Sequence, residues 1–373
     1  MIESSNLRPH AKRVSKTRLA FFLANSLVAV GFANVSQAAD QYPVSQNAFN
    51  KPLPGQQATP TVSEARNLAS LDAIDFATYN KKLWDQLSKS YDKDLVVTYT
   101  DGHSTRGVDA YLADLKARFA FAPDVHVTQH LIKFASGDWT ASMALTEGTF
   151  SQPKQSEEGA PIAPTNKAFK VNIVTIAHWK DGVIDQQYVF FDNAAVAQQI
   201  GIEPAVVGQD YGPKDVQSLF PPVGQAHLDY VIQKRVFALD EMDFDVFGLS
   251  HLTRLPESHA KDILVMWPDG HVTRGLERHT QDIKALFAFA PNLSIREHPV
   301  RFGTGEWTAL VGVMQGNFTG EMQNPAGGAP IQPTGKPFKI TMTTLSHWKE
   351  GVMDAEYLIY DNAAFMKQLG LAH

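Results

Sequence analysis

The chain repeats itself once. Asp101-Gly102-His103-Ser104-Thr105-Arg106-Gly107 returns as Asp269-Gly270-His271-Val272-Thr273-Arg274-Gly275, 168 positions on. Phe119-Ala120-Phe121-Ala122-Pro123 recurs at 287–291, and Gly137-Asp138-Trp139-Thr140 returns as Gly305-Glu306-Trp307-Thr308. One inserted residue then moves the offset to 169, so that PIAPTNKAFK at 161–170 faces PIQPTGKPFK at 330–339. Such an insertion is tolerated in a Gly- and Pro-rich loop, where no ladder of hydrogen bonds is interrupted. Each copy is long enough to build its own core, which predicts two duplicated domains rather than a solenoid of short units. The boundaries fall at 66–203 and 225–373, with a Pro- and Gly-rich linker over 204–224.

Within a copy, helices come first and strands after. Leu71 to Tyr91 places Leu71, Ile74, Phe76, Tyr79, Leu83, Trp84 and Leu87 near helical spacing, which predicts a helix. Leu95 to Thr100 alternates and is β-branched, so a strand is expected, and Asp101 to Gly107 turns the chain. Val108 to Phe121 is amphipathic through Tyr111, Leu112, Leu115 and Phe119, and Pro123 stops it. Strands are expected near 125–135, 138–150, 168–180 and 183–191, then a short helix ending at Gly201. Helices on one long antiparallel sheet make an α+β layer. A curved sheet wrapped over helices encloses a conical, mostly apolar pocket, the usual form of a small-molecule site.

The N-terminus predicts export. Residues 1–18 hold five basic residues against Glu3, Leu19 to Ala33 is apolar, and Val35-Ser36-Gln37-Ala38 offers small residues where a signal peptidase reads them. A leader over 1–38 followed by a tether over 39–65 is expected, which gives a periplasmic or secreted protein. The apolar run is short for a membrane helix of about 20 residues, so no membrane association is expected after cleavage. The formal net charge of −6 gives no electrostatic footprint for nucleic acid. The absence of cysteine excludes disulfides and thiolate chemistry. No H-x-H or H-E-x-x-H spacing occurs, nor a phosphate-binding Gly motif or nucleophile elbow, so neither metal nor cofactor is expected.

The end of each copy reads HWKDGVIDQQYVFFDNAAVAQQIG at 178–201 and HWKEGVMDAEYLIYDNAAFMKQLG at 347–370. An aromatic strand, an acidic-Gly turn, an outgoing strand ending in Asp and a helix ending in Gly resemble the SnoaL-like polyketide cyclase branch of the NTF2-like superfamily. The resemblance spans nearly all of each repeat and implies two NTF2-like cone domains, each with helices on a curved sheet. It implies cyclase- or isomerase-type chemistry on a small apolar carbonyl compound, without a cofactor. An Asp would act as general acid/base, assisted by a His fourteen residues earlier. Those roles fall on Asp192 with His178 and on Asp361 with His347. Members of the branch commonly carry an acid four positions after the turn glycine, where this chain has Gln186 and Ala355. The same fold hosts binders and scaffolds, so a non-catalytic binder of a small hydrophobic molecule and a pseudo-dimeric interaction module stand beside the enzyme.

Each candidate residue has a second reading. Burial among Tyr188, Phe190 and Phe191 would raise the pKa of Asp192, whereas capping the helix from Asn193 would lower it. Tyr188, Tyr357, Trp139 and Trp307 are expected to line the ligand cavity, or else to be core or interface; His130 and His298 fall on strands and are expected in the core or an interface. Arg106 and Arg274 would meet an anionic group at the pocket mouth, or simply close a turn with their Thr neighbours. Trp179, Val189 and Phe191, with Trp348, Leu358 and Tyr360, form an apolar stripe expected on the open face of each sheet. Covering those stripes predicts sheet-to-sheet docking within one chain, as a pseudo-dimer that is a monomer in solution.

Overall fold

The computed structural model describes residues 59–155, 160–202, 230–324 and 328–371. The expected leader, the linker and most of the tether lie outside the described residues. No described helix is long and apolar enough to cross a membrane.

The first domain opens with α1 (Val62–Asp72), started by a reciprocal cap in which the Glu64 amide donates to Thr61 Oγ1 and the Thr61 amide to Glu64 Oε2. A π-helical turn over Ala73–Tyr79 follows, then the short α2 (Trp84–Leu87). The single helix expected over 71–91 is therefore interrupted. Lys82 takes a positive φ of 56°, and Tyr91 is drawn into a strand by pairing with Ile184. The remaining elements are β1 (Tyr91–Tyr99), β2 (Ser104–Arg106), α3 (Val108–Phe121), β3 (His126–Ser136), β4 (Trp139–Thr149), β5 (Ala168–Lys180), β6 (Val183–Phe190) and α4 (Asn193–Ile200). They form one six-stranded sheet in the order β2-β1-β6-β5-β4-β3. Every pairing is antiparallel except β1 with β6.

The second domain repeats the plan. It runs α5 (Tyr230–Glu241), a π-helical turn (Met242–Phe247), β7 (His259–Met266), β8 (Val272–Arg274), α6 (Leu276–Phe289), β9 (Ser294–Ile295), β10 (Val300–Thr304), β11 (Trp307–Asn317), β12 (Pro337–Lys349), β13 (Val352–Ile359) and α7 (Asn362–Leu369). Where the first domain has one continuous β3, the second has β9 and β10, because Pro299 has no N–H to give to the ladder.

Each sheet has two buried faces. The inner face of the first packs under the helices with Tyr111, Leu115, Phe119, Trp179 and Val189. Its outer face meets the outer face of the second sheet in one shared core containing Phe134, Trp139, Tyr188, Phe302, Trp307 and Tyr357. The rings of Phe134 and Phe302 lie 5.7 Å apart, and those of Trp139 and Phe302 lie 6.0 Å apart. Burial of a side chain of this size is worth roughly 1.5–3 kcal/mol.

The expected facing of the strands is thereby inverted. Trp179, Val189 and Phe191 pack into the first cone, and Trp348, Leu358 and Tyr360 into the second. The residues expected to line the ligand cavity, Tyr188, Tyr357, Trp139 and Trp307, are instead the ones joining the two domains. Strand neighbours point to opposite faces, so a misplacement of one residue exchanges the faces. The register shifts between His178 and Trp179, and again between His347 and Trp348.

Candidate functional site

The interior of the second cone holds three groups from three elements. His259 opens β7, His279 lies on the first turn of α6, and Glu356 sits in β13 opposite Ser346 and Val265. All three are buried. The His279 Nε2 is 3.6 Å from Glu356 Oε2, and the two imidazole rings lie 5.2 Å apart. The His259 Nδ1 is 3.1 Å from the Leu255 carbonyl. The same Nδ1 is 2.8 Å from Ser258 Oγ, whose own hydrogen reaches the Leu255 carbonyl at 3.4 Å; with Nδ1 donating to these two oxygens, Nε2 keeps its lone pair. The His259 Nε2, His279 Nδ1 and Glu356 Oε2 have no hydrogen-bond partner.

Burial sets the protonation of this cluster. It pushes the Glu356 carboxyl up to about 8, with the charge of Asp243 adding to the effect. It pulls His259 down to about 4, and His279 well below its ordinary value with help from His259. Near neutrality the cluster therefore offers one carboxyl proton and two neutral imidazoles. Donor atoms of the three residues all lie within 4.8 Å of one another, so among the described residues this is also the set that could close on a metal ion.

The first cone places Tyr91, Tyr111 and Gln187 at the matching positions. Tyr91 and Tyr111 approach through their hydroxyls at 3.5 Å, and Gln187 Nε2 donates to the Tyr111 hydroxyl at 3.3 Å. Burial raises both phenols, so this cluster holds its protons at neutral pH. Further along the walls, Tyr79, Tyr99 and Arg118 correspond to Phe247, Trp267 and Leu286.

A family model for SnoaL-like polyketide cyclase matches residues 72–200 and again 241–369, together more than half of the chain. The chain belongs to the SnoaL-like polyketide cyclase family. It is similar to a solved structure from Jannaschia sp. CCS1, assigned as a SnoaL-like polyketide cyclase, at 18% identity and a TM-score of 0.34 over 42% of this chain and 99% of that one. A protein from Streptomyces antibioticus, assigned as a polyketide cyclase, is 22% identical with a TM-score of 0.31 over 37% and 98%. An NTF2-like protein from Burkholderia xenovorans LB400 is 14% identical with a TM-score of 0.30 over 38% and 99%. No curated protein matches the chain at a significant level.

The SnoaL-like motif residues carry other duties in this chain. Asp192 caps α4, accepting from the Ala194 amide at 3.0 Å, and reaches across to the second domain. There it accepts from the Asn362 amide at 3.0 Å and from Asn362 Nδ2 at 2.9 Å. Asp361 does the same toward Ala363 and Asn193, the latter at 3.2 Å and 2.8 Å. Both carboxylates are spent on the domain contact, and the expected pairing with histidine is not formed. His178 Nδ1 instead meets Asp185 at 2.6 Å, and His347 Nδ1 meets Asp354 at 2.5 Å. Asp185 and Asp354 are the residues skipped by the register shifts. Burial holds both Asp192 and Asp361 above the usual carboxylate range, opposed at each by the hydrogen bonds it accepts, and Asp361 is raised further by the charge of Asp192. The expected rise in pKa is present, but it arises at an interface. Arg106 and Arg274 are exposed on β2 and β8, and the turns beside them are closed by Asp101 and Asp269 accepting from the amides of His103 and His271.

The three residues of the second cone escaped the sequence reading. They come from separate elements, so no spacing motif marks them. One signal was present: the acid missing at Ala355 stands one position later, at Glu356, on the strand face that looks into the cone.

Proposed function

We propose that this SnoaL-like protein transforms a small, largely apolar carbonyl compound by proton transfer, in cyclase- or isomerase-type chemistry, and that the second cone is the reactive one. The observation that carries this is the replacement of Tyr91, Tyr111 and Gln187 by His259, His279 and Glu356 on one scaffold. Removing a proton beside a carbonyl needs a base and a group to polarise the oxygen. His259 Nε2, its lone pair fixed by Leu255, is the base. A carboxyl kept neutral by burial can donate to an oxygen that becomes an enolate, and that is the role of Glu356. His279, 3.6 Å from Glu356 and with its ring 5.2 Å from that of His259, passes the proton. The walls formed by Phe247, Trp267 and Leu286 fit an apolar substrate. In the first cone, whose groups do not titrate near neutrality, ligand binding without turnover is the reading that fits.

The test needs no knowledge of the substrate. Small cyclic ketones in deuterium oxide should exchange α-protons faster with the protein, by NMR. Glu356→Gln and His259→Gln should each remove at least nine-tenths of that acceleration, while Tyr111→Phe leaves it in place. Acceleration indifferent to Glu356→Gln would refute the assignment. A stoichiometric divalent metal in the purified protein would replace it with a Lewis-acid centre. Export is part of the same proposal: processing after Ala38 would give a mature protein that begins at Ala39 by N-terminal sequencing.

A further inference from the structure

The first cone contains a cation that the second lacks. Arg118 lies in the last turn of α3, two turns beyond Tyr111 on the same face. Its guanidinium stands 5.3 Å from the centre of the Phe191 ring and faces the phenols of Tyr79, Tyr99 and Tyr111. Among the described residues no carboxylate comes within 4.0 Å of it. Asp114, one turn earlier, lies beside His103, at 3.8 Å, and beside the Tyr99 hydroxyl. Nearby, the Tyr99 hydroxyl and the Gln187 Oε1 are buried without a hydrogen-bond partner.

The fold does not require this arrangement. At the matching positions the second domain buries Phe247, Trp267 and Leu286, and it packs without a cation. A guanidinium drawn in among aromatic rings and left without a counter-charge is costly, and a bound anion relieves that cost. We propose that the first cone is a binding site for a small organic monocarboxylate whose charge is held by Arg118. One guanidinium balances one negative charge. A phosphate would bring close to two, with Asp114 near enough to repel the second. The aromatic walls of Tyr79, Phe119 and Phe191 select an apolar body over a sugar or a polyol. This site is separate from the proton-transfer cluster and does not depend on it.

The full chain should be titrated with 2-naphthoate and, as the neutral isostere, 2-naphthamide, followed by calorimetry and ligand-detected NMR. Saturable binding of the carboxylate is expected, at least tenfold tighter than that of the amide. Arg118→Leu, which copies the second cone, should weaken it at least tenfold, while Arg106→Gln on the exposed turn leaves it unchanged. Equal binding of acid and amide would overturn the proposal. So would unchanged binding by Arg118→Leu, loss of binding in Arg106→Gln alone, or no saturable binding of the carboxylate. Should Arg118→Leu fail to fold, the ratio of acid to amide on the unaltered chain still decides.

Discussion

Glu356 differs from its counterpart Gln187 by one functional group, and that difference makes the second cone sensitive to pH. In the unfolded chain a glutamate releases its proton near 4.5, whereas the folded protein holds it to about 8. Between those values the unfolded state is favoured more with each step up in pH, so this residue lowers stability as pH rises. His259 works the other way. Its folded value of about 4 lies below the ordinary 6.5, so its contribution is present above 6.5 and lost as pH falls toward 4. The two slopes oppose each other between 4.5 and 6.5, and only that of Glu356 continues from 6.5 to 8. Glu356→Gln should therefore raise the melting temperature more at pH 8 than at pH 6. Equal shifts at both values in thermal melts would show that Glu356 is not held protonated.

At the scale of elements, a histidine anchors the helical layer to the sheet in both domains. His130 bridges Asp72 at 3.0 Å and Asp75 at 2.7 Å, and His298 bridges Asp240 at 2.8 Å and Asp243 at 2.7 Å. In the second domain burial pulls His298 down, but its two carboxylates outweigh this and hold it at about 9. Its stabilisation is complete below 6.5 and fades as pH rises toward 9. Replacing it strands Asp243 in a buried place, so His298→Gln should cost about 3 kcal/mol in denaturant unfolding at pH 6. A loss no larger than that of a surface substitution would contradict the clamp. Much of this layer was legible in the sequence. The alternation of β3 to β6, the stop at Pro123 and the glycine closing α4 predict strands and helices within a residue or two of those observed. The facing of the strands was not legible. It depends on where one residue slips out of register beside His178 and His347, and both patterns are apolar on either face because both faces are buried. His130 and His298 gave no sign of their partners, which lie more than fifty residues away on a helix.

For the whole molecule, the two outer sheet faces share one core, and Asn193 and Asn362 exchange hydrogen bonds with Asp361 and Asp192 across the same contact. A chain that supplies both halves of this contact should be a monomer. The first repeat expressed alone, as residues 63–203, should dimerise or aggregate because Trp139 and Tyr188 would be laid bare. Light scattering that found a well-behaved single-repeat monomer would count against the shared core as a determinant of assembly.

The reciprocal Asp–Asn contact has a consequence for descent. In a pair of identical subunits every substitution appears twice, so a cone cannot gain an imidazole without its twin gaining one also. Joining the halves in one reading frame releases that constraint. One half is free to keep its phenols and guanidinium while the other acquires two histidines and a glutamate. The asymmetry between the cones is an outcome open to a covalent tandem and closed to a homodimer.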